Sequence, residues 1–234
     1  MNIPLYVATS DPVLRTVAAQ VDFKDIRSEN IQTVIDDVLR VAEKEVFIAG
    51  LAAPQIGYPL QIIAMNDKVR SVGKPDFDPN HKNTFSIFIN PHIVSHSSLL
   101  KDDLESCFSI PGLVGRVARS QQVKIVAYDR KGNLVTIEAE GYYARVFQHE
   151  IDHLHGVMYP DRIFHDDEKS EKLHFLYEID DTPEHQETRK SEYRTRLSEW
   201  HSQHGSLDGF VWDRTVHKAE WDAMVFHADP NRKE

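Results

Sequence analysis

The segment that most constrains this chain runs from Tyr142 to His155, with Gly141 before it and Gly156 after it. The spacing of its apolar residues predicts a helix, and Gly156 stands where a left-handed helix cap is expected. Residues 149–153 of this helix read H-E-I-D-H. Because residues four apart share one face of a helix, both imidazoles can reach a single metal ion. The intervening Glu150 projects beside the ion, where it can take a proton from water, so the pattern indicates a metallohydrolase. A surface helix with chance histidines is the alternative, in a chain that holds 13 of them.

A catalytic site of this kind needs a third protein ligand and an open position. A metzincin would carry a histidine at the sixth position after His153, but that residue is Tyr159, which excludes the class. A thermolysin-like site would use a downstream glutamate, either Glu171 or Glu178. Cys107 is the remaining candidate, although a free cysteine is more often a small buried hydrophobic residue. The residues alone leave these alternatives open.

Composition limits the classes of partner and compartment. The single cysteine excludes an intrachain disulfide, so a packed core must stabilise the fold. No run approaches the roughly 18 to 20 apolar residues that a membrane span requires, and the first residues lack a signal-peptide pattern. We therefore expect a cytosolic or organelle-interior protein without membrane association, and we take the cytoplasm as its location. The net charge of -10 argues against stable nucleic-acid binding.

Mixed helix and strand patterns predict an α+β fold. An amphipathic helix is predicted from Ser28 to Val46, where apolar residues recur at three- and four-residue steps. Short β-branched runs predict strands of antiparallel sheets, and residues 130–133 read as a hairpin turn. The predicted strands are Leu60 to Ala64, Thr84 to Asn90, Val123 to Tyr128 and Leu134 to Ala139.

The last part of the chain differs in composition from the rest. Residues 166–234 carry -7 of the total charge of -10, and Val and Ile become scarce there. Thr182-Pro183 is a favourable helix start, and an aromatic stripe follows at Tyr193, Leu197 and Trp200. A second amphipathic stretch covers residues 213–227. We expect a helical appendage that docks on the main domain, with a partner-binding module as the alternative.

Three segments, in order, resemble the motifs of the peptide deformylase family, which removes the formyl group from the N-terminal methionine of new proteins. The family patterns are G-x-G-[IL]-A-A-x-Q, E-G-C-[LV]-S and Q-H-E-x-D-H-L-x-G. This chain has I-A-G-L-A-A-P-Q at residues 48–55, E-S-C-F-S at 105–109 and Q-H-E-I-D-H-L-H-G at 148–156. The resemblance extends over about residues 3 to 165. It implies a metallohydrolase domain at 1–165, built of antiparallel sheets around the central helix, and a C-terminal extension at 166–234.

The resemblance also implies a metal site and a substrate. Cys107, His149 and His153 would be the ligands, and the ion would be Fe²⁺, replaceable by Zn²⁺, Ni²⁺ or Co²⁺. A thiolate beside two imidazoles suits such ions, but ligand identity does not separate iron from zinc. The implied substrates are N-formylmethionyl peptides and nascent chains. The oligomeric state is not implied.

Further roles follow from the same resemblance. Glu150 would deprotonate the attacking water and return the proton to the departing amine. The Gln55 side-chain amide and the backbone N-H of Phe108 would donate to the oxyanion. Gly50 would let the substrate backbone approach as an added strand. Arg119 would pair with a glutamate at position 105 and support the cysteine loop, with an ordinary surface arginine as the alternative.

Three motif positions depart from the family: Ile48 and Ser106 replace glycines, and Phe108 replaces a small aliphatic residue. Ligands and base are unaffected. Ile48 cannot comfortably take the positive φ open to glycine, so we expect a different loop path or stored strain, and a narrower entrance. Phe108 is expected to pack in the core or near the methionine pocket. The chain thus reads as a divergent deformylase.

Two other functions remain open on the sequence. The first is a deformylase-like amidohydrolase that acts on another N-acyl or formyl amide. The second is a catalytically silent metal-binding or interaction protein that works through its acidic tail. The intact Glu150 and Gln55 argue against the second, because a protein without catalysis needs neither.

Overall fold

A five-stranded antiparallel sheet forms the frame of the first of two units into which the chain divides. The computed structural model describes residues 6–7, 9–45, 47–75, 77–78, 80, 82–164, 173–175, 191–192, 194–195, 198–199, 202, 217–219 and 221–222. The first unit comprises Arg15–Lys101 and Arg119–Val157, and the second comprises residues 6–14, Asp102–Ala118 and the described residues from Met158 onward. Each unit has its own apolar cluster.

The sheet of the first unit has the order β1-β2-β3-β6-β7, which places β1 at one edge. Its strands are β1 Gly50–Ala52, β2 Ile62–Asn66, β3 Phe85–His96, β6 Gln122–Tyr128 and β7 Leu134–Glu140. The four predicted strands are therefore present, although β2 begins two residues later than expected and β3 continues to His96. The predicted turn joins β6 to β7, and Gly132 within it has a φ of +79°.

Two α-helices belong to the first unit. Helix α1 spans Glu29–Ala42, and the Ser28 hydroxyl caps it by accepting the Ile31 N-H at 3.4 Å. It is the helix predicted from residue 28, but it ends four residues earlier than expected. Helix α2 spans Gly141–Leu154 and packs against β1, β2 and β7. Gly156 follows it with a φ of +69°, as a left-handed cap requires.

Apolar side chains from α2 and the strands form the core of the first unit. Phe147 makes edge contacts with the rings of Phe88 and Tyr143, with centroids 5.1 and 4.9 Å apart. The cluster includes Ala52 of β1 and Ile151 and Leu154 of α2. The helix that carries the H-E-x-x-H residues is therefore fixed to the sheet by burial of its apolar face.

The second unit contains a three-stranded sheet of order β4-β5-β8. Strand β4, Leu100–Cys107, begins in the first unit, and strand β5, Ile110–Ser120, ends in it. Strand β8 is His174–Phe175. Strands β4 and β5 have no sequence pattern that predicts a strand. The charged start of β4 lacks apolar alternation, and β5 contains a proline and two glycines, so neither has the usual strand pattern.

Helix α3, Tyr159–Phe164, also lies in the second unit. Trp221, from the second amphipathic stretch of the C-terminal extension, is fully buried in the apolar cluster of this unit. Its indole N-H donates to the Asp161 carboxylate at 2.9 Å. Tyr193, Leu197 and Trp200 lie outside the described residues, so the predicted aromatic stripe and the domain boundary at residue 165 stay predictions.

The helices in the described part of the chain are all too short or too polar to cross a membrane.

Candidate active site

Helix α2 places the two motif histidines on one face, as their spacing requires. The ring centroids of His149 and His153 are 5.0 Å apart, and the ring planes are nearly perpendicular, at 77°. His153 is fully buried and His149 is half-buried. Zinc binds imidazole nitrogen at about 2.0 to 2.1 Å, so two histidine rings at this separation can bind the same ion.

The carboxylate of Glu150 lies against the backbone of β1. A methyl group at Gly50 would approach the Oε1 and Cγ atoms of Glu150 to 2.7 Å, which real side chains do not tolerate. Glu150 is 4% exposed. The glycine is therefore required because any side chain would displace this carboxylate. This packing reason adds to the expected approach of a substrate strand.

The backbone N-H and C=O groups of Gly50 point toward the open edge of the sheet. The N-H of Asn66 in β2 donates to the carbonyl of Ala49 at 2.9 Å, and the register places Gly50 opposite Met65. Because hydrogen-bonded and non-hydrogen-bonded pairs alternate along antiparallel strands, Gly50 belongs to a pair whose N-H and C=O groups point away from β2. Since β1 is an edge strand, these groups face the side on which an extended peptide could add.

Gln55 lies in a short 3₁₀ helix, Ala53–Ile56, directly after β1. Its side-chain oxygen accepts the Ala52 N-H at 2.8 Å, and the side chain is almost fully buried. With the oxygen bound to Ala52, the amide NH₂ is the end directed away from that strand. An oxyanion needs such a donor, and the oxyanion role of Gln55 stays a prediction.

A buried ion pair holds the last turn of α2. The Arg119 guanidinium donates to the Asp152 carboxylate at 2.5 Å, and both side chains are less than a tenth exposed. Sequence reasoning did not single out Asp152, although it is the fourth residue of the H-E-x-x-H run and could have been found there. This contact makes Arg119 a buried support of the histidine helix, so the surface alternative is wrong. Its expected pairing with the glutamate at 105 stays a prediction.

Gln148 provides a second attachment for the same helix. Its amide NH₂ donates to the Ser120 carbonyl at 2.9 Å, and its amide oxygen accepts the Ser120 N-H at 3.1 Å. This two-way bond joins α2 to the end of β5, one residue after Arg119. The rotation of the helix about its axis, and hence the direction of His149 and Glu150, is thereby fixed.

Cys107 is the last residue of β4, in the second unit, where it is buried among apolar side chains. Phe108 stacks on Tyr6, with ring centroids 5.5 Å apart and planes 13° from parallel. The Ser109 carbonyl accepts the Thr9 hydroxyl at 2.7 Å. The cysteine loop is thus held on both sides. Phe108 is half-buried, and whether it packs in the core or near the methionine pocket stays a prediction.

Of the two expectations for the loop at Ile48, a different backbone path and stored strain, the structure agrees with the different path. Among the described residues only Asn90 is a non-glycine with positive φ, so the backbone at Ile48 does not need a glycine. The Ile48 side chain is 2% exposed, and its carbonyl accepts the Asn66 side-chain N-H at 2.9 Å. Isoleucine is therefore accommodated by burial, because the chain enters β1 in a conformation that β-branched residues adopt.

The described residues include three side chains that could hold a metal ion, namely Cys107, His149 and His153. Each offers one ligand atom, a thiol sulfur or an imidazole nitrogen. Glu171 and Glu178, the alternative third ligands, lie outside the described residues.

The known proteins that are similar to this chain are deformylases by name. The family model for polypeptide deformylase matches residues 5–169. Peptide deformylase 2 of a Nostoc species is 36% identical over 67% of this chain and 84% of its own length. Peptide deformylase 1A of Arabidopsis thaliana, chloroplastic and mitochondrial by name, is 36% identical over 70% of this chain. The chain spans about three fifths of the length of the plant relatives it matches.

A solved structure is similar as well. A class I type b peptide deformylase of Acinetobacter baumannii, bound to Met-Ala-Ser, aligns with a TM-score of 0.61 at 26% identity. The alignment covers 70% of this chain and the whole of that one. Antiparallel sheets with few helices are therefore the fold of both proteins. On the family match, the motifs and these similarities, the chain belongs to the peptide deformylase family.

Proposed function

We propose that this chain hydrolyses the formyl amide of N-formylmethionyl peptides and releases formate. The observation that carries the proposal is the contact between Glu150 and Gly50, which places a buried carboxylate beside the outward-facing backbone of an edge strand. An extended peptide that pairs with Gly50 would bring its end next to this carboxylate. An enzyme that hydrolyses an amide at the end of a peptide needs an edge strand that binds the peptide backbone and a side chain that carries the proton.

A divalent ion held by Cys107, His149 and His153 fits the donor set. The histidine rings share one face of α2, and a thiolate with two imidazoles suits borderline-soft ions such as Fe²⁺ and Zn²⁺. We propose Fe²⁺, by the family resemblance. When bound, the ion would polarise the formyl carbonyl and lower the pKa of the attacking water.

The protein groups divide the remaining work. The backbone of Gly50 binds and orients the peptide. Glu150 accepts the proton of the attacking water on its carboxylate and delivers it to the nitrogen of the departing amine. The Gln55 NH₂ and the Phe108 N-H donate to the oxygen that becomes negative, each donor being worth roughly 2.7 to 4 kcal/mol of barrier. The ion pair of Arg119 and Asp152 keeps the helix in register with these groups.

The experiment is an assay on protein of known metal content. Formyl-Met-Ala-Ser is supplied, and release of the free amine and of formate is measured in parallel. Acetyl-Met-Ala-Ser and longer acyl analogues serve as matched substrates. A higher kcat/KM for the formyl peptide supports the proposal. A preference for another acyl group would instead favour the related amidohydrolase, and no turnover of any substrate by the metal-loaded protein would favour the silent binding protein.

Several features belong to the same proposal. We take α2 to be the central helix of the whole fold and residues 166–234 to be a helical extension. Nascent chains are the expected partners, without stable nucleic-acid binding. A cytoplasmic location stays a prediction, since the Arabidopsis relative is named for chloroplasts and mitochondria.

A further inference from the structure

Asn66, the last residue of β2, binds the chain immediately before the proposed peptide-binding edge. Its backbone N-H donates to the Ala49 carbonyl, and its side-chain NH₂ donates to the Ile48 carbonyl, both at 2.9 Å. The residue is 3% exposed. One buried residue therefore binds both of the carbonyl groups that precede Gly50.

These two bonds matter because the edge strand is short. Strand β1 contains three residues, Gly50–Ala52, and its pairing with β2 begins at Gly50. Ile48 and Ala49 precede the strand, and the bonds from Asn66 attach them to the end of β2. The position of the edge at its N-terminal end therefore depends on Asn66.

A third bond fixes the orientation of the Asn66 amide. Its side-chain oxygen accepts the Lys68 N-H at 3.1 Å, which caps the short 3₁₀ helix Asp67–Ser71. Because the oxygen binds this helix, the NH₂ group is the end that is directed to Ile48. Both ends of the amide have partners, so the side chain is fixed between the turn after β2 and the chain before β1.

The part of the edge that Asn66 binds is the part along which the later residues of a substrate would lie. Gln55 follows β1 in the chain, whereas Gly50 begins the strand. If Gln55 stabilises the oxyanion, as proposed, the formyl end of the peptide lies toward the end of β1. The rest of the peptide then runs past Gly50 toward Ala49, antiparallel to β1.

We propose that Asn66 is a positioning residue for the substrate. By binding the carbonyls of Ile48 and Ala49, it fixes the edge along which the second and third residues of the peptide extend. The inference rests on the proposed function. It implies that loss of the side-chain bond weakens the use of peptides more than the use of a formyl amide without these residues.

The test compares formyl-Met-Ala-Ser with formyl-Met methyl ester, on protein of known metal content. The ester has the same formyl amide and lacks residues 2 and 3. The kcat/KM of the tripeptide divided by that of the ester therefore measures the contribution of those two residues. Asn66→Ser should lower this ratio about tenfold, the effect of one hydrogen bond of ordinary strength, mainly through a higher KM for the tripeptide.

Two substitutions isolate the bond to Ile48. Serine caps a helix as asparagine does but is too short to reach the Ile48 carbonyl, so Asn66→Ser removes this bond alone. Asn66→Asp keeps the size of the side chain, and its ionised carboxylate can only accept. Ser86→Ala is the matched control, because the Ser86 hydroxyl donates to the Asp67 carboxylate at 2.6 Å on the side of β2 that pairs with β3. Its ratio should equal that of the wild type.

The outcomes separate this inference from the proposed function. If the wild type deformylates neither substrate, the proposed function fails and takes the inference with it. If formyl-Met-Ala-Ser is deformylated but both Asn66 variants keep the wild-type ratio, only the inference fails. It also fails if kcat falls equally for both substrates, which is the result of a smaller folded fraction, or if Ser86→Ala lowers the ratio as much. Failure of both variants to fold and bind metal would overturn it too, because the side chain would then support the whole sheet.

Discussion

The Glu150 side chain lies so close to Gly50 that a Cβ atom on this residue would come within 2.7 Å of the Glu150 Oε1, which leaves no room for a side chain on the strand. The contact joins the edge strand that would bind a peptide to the group that would move the proton. A change at either residue therefore tests a distinct part of the proposed mechanism.

Gly50→Ala should lower activity through Glu150. The new methyl group would meet the carboxylate at 2.7 Å, so the carboxylate must move, and a displacement of about 1 Å can cost roughly 10²-fold in rate. Kinetics with formyl-Met-Ala-Ser and metal analysis should show a loss in kcat/KM at unchanged metal content. Leu134→Ala is the control, because Leu134 is 65% exposed on β7, at the opposite edge of the same sheet. An unaltered kcat/KM in Gly50→Ala would contradict the packing argument.

Glu150→Gln should keep the metal and lose nearly all turnover. The ligands are unchanged, whereas the amide cannot accept and return a proton, a role worth roughly 10² to 10⁴ in rate. Steady-state kinetics alongside elemental analysis measures both properties. Retention of more than about a tenth of the wild-type kcat/KM, the margin set by that range, would rule out the general-base role.

Cys107→Ser should reduce the metal content of the purified protein. A serine hydroxyl at neutral pH is a far poorer anionic ligand than a thiolate. Elemental analysis of the variant and of wild-type protein prepared in parallel gives the comparison. Full occupancy in the variant would move the third ligand elsewhere, with Glu171 and Glu178 as the next candidates.

Ile48→Gly should destabilise the protein and bring no gain in activity. The side chain is buried and its backbone has no need of positive φ, so the change removes packing and adds chain entropy. Loss of a buried isoleucine and the entropy of glycine together should cost about 3 kcal/mol. Denaturant unfolding measures this cost. A rise in kcat/KM for formyl peptides would instead show that Ile48 obstructs the substrate.

Tyr143 should make stability depend on pH in the alkaline range. Burial raises its pKa from about 10 to about 12, so the folded protein holds the phenol proton more tightly than the unfolded chain. The resulting stabilisation is fully present below pH 10 and is lost as the pH rises toward 12. It should amount to roughly 1 to 2 kcal/mol, reduced from the full shift because solvent screens part of the site. The stability of the wild type should fall relative to that of Tyr143→Phe as the pH rises from 10 toward 12 in melting experiments, and a difference that does not change with pH would contradict the shift.

The sequence by itself predicted the candidate residues of the chemistry, because the information that points to them is local. Four-residue spacing places His149 and His153 on one helical face, and the glycine after α2 takes the φ that its position requires. The same holds for α1, whose apolar period and Ser28 cap are both read from neighbouring residues.

Only the tertiary structure decided which distant residues support that chemistry. The need for glycine at position 50 arises from Glu150, a hundred residues away, and the outward direction of its backbone depends on the register of β1 against β2. Whether isoleucine is strained at position 48 depends on a backbone angle that the fold imposes and that the motif alone does not contain. The bond between Arg119 and Asp152 likewise depends on how α2 rotates against the end of β5. Such relationships have no local signature, since packing and register are properties of segments that meet only in the folded chain.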